Sequence, residues 1–204
     1  MLHSLIEKLS NYPGFFLFCR GVLEANFKAI HRIIHEWLPP KDGRKVLDLA
    51  CGPGAFSKLF TPENYSGIDI NDQYIRYAKQ HHRGEFAVMD ARDLKFPSRS
   101  FDDVLVFGLL HHLDDRDATA VVTSLARVLK PGGRALIIED IPTRSKLNVI
   151  GHLIHNIENG HHIRPPAQYH TLLAPHFRIE DERTFRSGVC DYYAVRVAPA
   201  QATA

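Results

Sequence analysis

The chain has 204 residues, 45% of them hydrophobic and 24% charged, which leaves room for one core and excludes a disordered polypeptide. A formal net charge of +2 gives no field pointing to nucleic acid, though 13 histidines would make the surface more cationic in mild acid. Cys19, Cys51 and Cys190 form an odd set without paired spacing, which argues against a disulfide framework or a paired-cysteine zinc site and for reduced thiols in a cytoplasm.

Leu2, Leu5, Ile6 and Leu9 recur at helical spacing; after a break at Pro13-Gly14, Leu23, Phe27, Ile30, Ile34 and Trp37 do so again. Residues 1–40 therefore read as a helical cap, and 45–197 as the core, of one domain spanning 1–204. The opening stretch has no basic n-region, and the apolar run 15–19 is too short for a membrane span. The aromatic residues from Tyr12 to Phe18 suit either an apolar, lipid-like ligand or packing of the cap on the core.

Residues 45–50 predict a buried strand carrying one carboxylate, Asp48. Gly52, Pro53 and Gly54 follow as a turn that lets backbone approach a ligand, and 55–60 can open a helix. Strands over 65–70, 85–89, 101–107 and 133–139 then alternate with helices over 72–81 and 116–129, an α/β pattern with a parallel sheet covered on both faces. A further helix is predicted over 147–157, a polar loop over 159–164, and a helix from Pro165 to about Leu173. Strands 177–185 and 191–197 make an antiparallel hairpin, and 198–204 a frayed tail.

The turn after the first strand narrows the ligand. A dinucleotide pyrophosphate favours a neutral GxGxxG turn and a helix N-terminus, but Ser57 stands at the third glycine position. Asp48, just ahead of Gly52, suits a cationic ammonium better than a phosphate. Asp69 closes the second strand, where a carboxylate accepts two ribose hydroxyls, a service equally useful to NAD. Asp90 and Ala91 close the third, where carboxylate and amide can read an adenine edge. An adenosine bearing a cationic amino acid is S-adenosylmethionine.

The segments VLDLACGPG, GIDIN, FAVMDARDLKFPSRSFDDVLVFGLLHHL and LARVLKPGGRALIIED, in this order, resemble a class I S-adenosylmethionine-dependent methyltransferase of the small-molecule, Rossmann-like type. The resemblance implies a doubly wound seven-stranded sheet with six strands parallel and the last antiparallel. It implies that Asp48, Ala50, Cys51, Gly52 and Gly54 surround the methionine portion, with Ala50 standing where the family's first turn glycine falls. Asp69 would hold the ribose, Ile70 would line adenine, and Asp90 and Ala91 would read it. Phe107 and Gly108 would border the methionine and open toward the acceptor.

Methyl transfer needs chiefly positioning, with a base where the acceptor carries a proton. His111 and His112 are candidates for that base or for the site wall, and His161, His162, Tyr169 and His170 are further pocket candidates. The 159–164 loop reads as a substrate lid or a solvated connection, and Arg20 as a partner of the methionine carboxylate or a surface charge. Asp114, Asp115 and Asp117 suit helix caps better than a metal, and no metal is expected. Phe107-Gly108-Leu109-Leu110 lacks the [DNS]PP[YFW] signature of DNA amino-methylating enzymes. The expectation is therefore a small-molecule acceptor methylated on oxygen, nitrogen or carbon, with no nucleic-acid partner. An NAD-dependent oxidoreductase and a non-catalytic binding protein on the same fold are the alternatives.

Overall fold

The computed structural model describes residues 12–41, 43–145, 147–149, 151–152 and 162–200. The helix expected around Leu2 to Leu9, most of that over 147–157 and the last four residues lie outside these. The described chain builds one seven-stranded sheet in the order β3-β2-β1-β4-β5-β7-β6. β1 (Val46–Leu49), β2 (Tyr65–Asp69), β3 (Glu85–Val88), β4 (Phe101–Phe107) and β5 (Leu129–Asp140) are mutually parallel. β7 (Cys190–Pro199) runs antiparallel to β5 and to β6 (Phe177–Ser187), so β7 alone opposes the other six.

All four residues of β1 are buried, as its place between β2 and β4 requires. Leu47, Leu49, Val104, Val106, Ala135 and Ile137 face one core, and Val46, Leu105, Leu136 and Ile138 the other. The strand order reverses between β1 and β4, and at such a switch point open α/β sheets leave a crevice at the carboxyl ends of the strands.

The cap departs from the sequence expectation. Pro13-Gly14 starts a helix, α1 (Pro13–Leu23), with proline at the first turn where its missing N–H costs nothing. The break falls at Ala25, Asn26 and Phe27, whose φ values of 53°, 55° and 57° lie in the left-handed region; each costs about 1–2 kcal/mol. α2 (Lys28–Trp37) follows and buries Ile30, Ile33, Ile34 and Trp37 against Phe56, Leu105, Ile138 and Tyr192. The β6–β7 turn anchors the junction: Val189 N–H donates to Leu23 O at 2.9 Å, and Ser187 Oγ to Glu24 O at 2.8 Å. Gly188, at φ 57°, is obligatory there, because a Cβ would stand 1.9 Å from Leu23 O.

Packing on the core does not account for the whole aromatic run of α1. Phe16 meets the Tyr74 ring in a tilted contact at 5.3 Å, but Tyr12, Phe15, Phe18 and Val22 are exposed.

A second departure follows the glycine turn. Residues 55–60 form no α-helix; they hold only a 3-10 turn, Ser57–Leu59, because Pro62 already opens another, Pro62–Asn64, ahead of β2. The remaining helices stand as expected. α3 (Asp72–His81) is capped by Asn71, whose side chain accepts from Gln73 and Tyr74 N–H. α4 (Asp115–Val128) is capped by Asp114, which accepts from Asp117 N–H at 2.8 Å. α5 (Pro166–Leu173) starts at its proline. β7 extends through Pro199, two residues into the stretch read as frayed.

Candidate active site

The turn after β1 is shaped by three left-handed residues, Ala50 (φ 58°), Gly52 (φ 54°) and Gly54 (φ 85°). Ala50 keeps the conformation of a glycine at the cost of its Cβ. Cys51 N–H donates to Ile68 O at 2.8 Å and Gly52 N–H to Asp69 Oδ2 at 2.9 Å, which pins the turn to the end of β2. A Cβ added to Gly52 would meet nothing within 4 Å, so there the turn presents bare backbone to open space, whereas a Cβ on Gly54 would stand 2.9 Å from His82. The Cys51 thiol is buried, and its pKa is driven up by desolvation and by Asp48 and Asp69. It is therefore no nucleophile.

Asp48 lies beneath this turn, 1% exposed, and accepts from Tyr65 Oη at 2.6 Å. The register that sets Val46 beside Tyr65 brings the phenol within reach. Burial pushes the Asp48 carboxyl up to about 7, against the opposing pull of the Tyr65 hydrogen bond and with help from Asp69. The sequence asked for a partner to this carboxylate; the structure supplies a neutral one.

Asp69 accepts from Gly52 N–H at 2.9 Å on one oxygen and from Asn71 N–H at 2.8 Å on the other. A carboxylate has about four acceptor positions, so both oxygens keep capacity for further donors, and burial raises its pKa despite the backbone bonds. Ile70 beside it is 67% exposed, as is most of Val88 at the end of β3. Asp90 is differently placed. Arg92 donates to it from Nε, Nη2 and the backbone N–H, and also reaches Asp117. Arg92 holds the Asp90 carboxyl below its ordinary range and fills the acceptor positions an adenine amine would use. The pair is largely exposed to solvent, which screens it and makes it easier to displace.

At the end of β4, Phe107 makes edge contacts with Phe27 and Phe56, joining cap, glycine turn and sheet. Arg20 is no surface charge. It lies over the Phe16 and Phe107 rings at 5.9 and 5.5 Å, donates to Tyr192 Oη at 3.3 Å and pairs with Glu24. Gly108 (φ 65°) donates to Ile138 O at 2.9 Å and turns the chain into the 3-10 turn Leu110–His112.

That turn is built on Glu139, whose carboxylate accepts from the N–H of Leu109 at 3.0 Å, Leu110 at 2.8 Å and His111 at 3.2 Å. His111, 1% exposed, sets Nδ1 2.8 Å from the same Oε2, and its Nε2 lies 3.6 Å from Asp140 Oδ2. His112 is exposed, its ring 4.0 Å from that of His111. Of the two candidates, His111 is in the wall and His112 on the outside.

From the 159–164 loop, His162 N–H donates to His111 O at 3.0 Å. Arg164, 4% exposed, donates to Leu110 O at 2.7 Å and Leu113 O at 2.8 Å and pairs with Asp115. This half of the loop is a clamp on the post-β4 turn; His161 lies outside the described residues. Tyr169 Oη donates to Asp140 O at 3.1 Å, while His170 turns to Tyr193 Oη and Glu182 on the hairpin, off the site. Glu139, Asp140 and Arg164 carry no role in the sequence reading. The acidic pair closing an otherwise apolar strand, IIED, was the available signal.

Residues 46–133 match the family described as Methyltransferase domain. The chain is 35% identical over 108 residues to a fatty-acid O-methyltransferase of Mycolicibacterium smegmatis, covering 50% of this chain and 39% of that protein. It is 37% identical over 119 residues to the ubiquinone/menaquinone biosynthesis C-methyltransferase UbiE of Pseudomonas putida, covering 52% of this chain and 46% of that one. The chain thus spans less than half the length of these relatives. The geranyl diphosphate C-methyltransferase of Streptomyces coelicolor, solved with S-adenosyl-L-homocysteine, has the same fold, with a TM-score of 0.68, 12% identity and coverage of 84% of this chain and 78% of that one.

Proposed function

We propose that this chain, whose core belongs to the class I S-adenosylmethionine-dependent methyltransferases, transfers a methyl group to oxygen, nitrogen or carbon of a small, apolar, lipid-like acceptor. The buried Asp48 beneath a bare glycine turn carries this reading. A carboxyl whose ionisation is suppressed by burial gains most from a cation placed beside it, and the cofactor's ammonium is such a cation. A pyrophosphate gains nothing there. The missing α-helix after the turn also removes the N-terminal dipole that a dinucleotide uses.

In this reading Ala50, Cys51, Gly52 and Gly54 give backbone room to the methionine portion. Asp69 takes the ribose hydroxyls on its remaining acceptor positions. Ile70 lies against adenine, and Asp90 and Ala91 read its edge once Arg92 swings aside. Phe107 and Gly108 separate the methionine from the acceptor. S-adenosylmethionine supplies a methyl group already activated by its sulfonium, so these residues act by binding, orienting and excluding water. The acceptor's apolar character is supported by fatty acid, quinone and geranyl diphosphate in the relatives' names.

Cap and core are taken as one domain, since α2 shares its core with the sheet. Among the described residues no helix is long and apolar enough to cross a membrane; a cytoplasmic setting and a small-molecule partner, with no nucleic acid, belong to the proposal.

The test is turnover. Incubated with S-adenosylmethionine and a panel of fatty acids, prenylated phenols and long-chain alcohols and amines, the chain is expected to form S-adenosylhomocysteine only when one class is present. Tight cofactor binding with no product across the panel would instead favour a non-catalytic binding protein.

A further inference from the structure

Helix α1 turns its charge inward and its apolar side chains outward. Its one charged residue, Arg20, lies over the Phe16 and Phe107 rings and pairs with Glu24, which is 0% exposed. The outward stripe at i, i+3 and i+7 is Phe15, Phe18 and Val22, continued from Tyr12 at the start of the helix. Of the eight large hydrophobic side chains exposed among the described residues, these are four and Leu147 and Val149 are two more; the others, Ile70 and Val88, stand by the ends of β2 and β3.

Two hydrogen bonds join Leu147 and Val149 to α1. They flank Asn148, whose side-chain amide donates to Val189 O at 2.7 Å, and Val189 N–H donates to Leu23 O, at the end of the helix, at 2.9 Å. Apolar side chains gathered this way on a surface mark a binding face.

Charge selects the occupant. Residues 12–28, 142–149 and 186–191, which build this face, hold two carboxylates, Glu24 and Asp191. Both are 0% exposed, Glu24 pairing with Arg20 and Asp191 with Arg144 and Arg186 together. The same segments hold five cations, Arg20, Lys28, Arg144, Lys146 and Arg186, and Lys28, Arg144 and Arg186 are exposed. An apolar centre with an exposed cationic rim complements an anionic lipid surface. The aromatic and aliphatic side chains enter the acyl boundary while lysine and arginine meet the headgroup phosphates. A second copy meeting this face with its own would set cation against cation.

We propose that α1 and the 147–149 stretch seat the protein on an anionic phospholipid bilayer. The inner side of α1 reaches the end of β4, through Arg20 over Phe107, and the start of α3, through Phe16 against Tyr74. Seating its outer side therefore brings the mouth of the crevice to the bilayer. On the methyltransferase reading a lipid-like acceptor is then taken from the bilayer rather than from water; the docking itself stands without that reading.

The test is flotation of the full chain with vesicles of phosphatidylcholine alone and of an equimolar mixture of phosphatidylcholine and phosphatidylglycerol. Binding to the mixed vesicles is expected, weakened by added salt and at least about tenfold weaker on phosphatidylcholine alone. Phe18→Ser and Leu147→Ser, which leave the net charge unchanged, should each weaken it about tenfold. Their thermal midpoints, and their affinities for S-adenosylhomocysteine in vesicle-free buffer, should match wild type. No wild-type binding to the mixed vesicles, or undiminished binding in either variant, would overturn the proposal. So would a wild-type dimer that Phe18→Ser dissociates, or a lowered thermal midpoint in Phe18→Ser, since each shows the face covered by protein. Vesicle binding without affinity for S-adenosylhomocysteine would refute the methyltransferase reading and leave the docking intact.

Discussion

Asp69→Ala is expected to weaken S-adenosylmethionine binding about a hundredfold, read by titration calorimetry. Asp69 sits where two demands meet. Its oxygens hold the N–H groups of Gly52 and Asn71, so it fixes the glycine turn against β2, and their remaining acceptor positions face donors from the ribose. Each hydrogen bond to a charged group contributes about 1.5–3 kcal/mol, and loss of a bidentate pair with two orphaned hydroxyls reaches the equivalent of about two decades in affinity. Asp69→Asn retains one acceptor oxygen and should fall between. Unchanged affinity in Asp69→Ala would show that the ribose lies elsewhere.

The second large effect is on stability. Asp48 titrates near 7 in the folded chain, raised by burial from an ordinary value of 3.8. A carboxyl raised on folding contributes stability that is complete below its unfolded pKa and is lost as pH rises through its folded one. Relative to Asp48→Asn, which keeps an acceptor for Tyr65, wild type should therefore lose about 4 kcal/mol of unfolding free energy between pH 4 and 7. Asp69 shifts in the same direction and is present in both proteins, so its own burial contribution cancels and only its coupling to Asp48 enters the difference. Urea unfolding across that range reads the difference; parallel curves would contradict the burial of an ionisable Asp48. The same group couples to the ligand: an ammonium beside it lowers its pKa, so cofactor binding at pH 6 should release a proton, visible as a dependence of the binding heat on buffer ionisation enthalpy.

What the sequence disclosed and what it hid follow from range. The helix over 72–81 was legible because its cap Asn71 and its apolar spacing are local. β4 was legible because burial on both faces leaves a continuous apolar run. Asp69, the last residue of β2, and Asp90, two residues past β3, were legible because each stands at or just beyond a strand end.

The rest depended on contacts distant in the chain. Asp48 finds Tyr65, His111 finds Glu139 and Asp140, and Leu110 finds Arg164 only through strand register and loop return. The left-handed break at 25–27 carries no glycine to announce it and is held by the Gly188 hairpin docking on Leu23. The α-helix expected after the glycine turn was lost to Pro62, a signal that was present and was outweighed by the usual strand-turn-helix pattern.

The crevice above β1 and β2 should take a cationic adenosyl ligand in preference to a dinucleotide. Calorimetry of the wild-type chain with S-adenosylmethionine and with NAD tests it most directly. Saturable one-to-one binding of S-adenosylmethionine is expected, with no measurable heat from NAD at the same concentrations. Saturable binding of NAD with none of S-adenosylmethionine would contradict it.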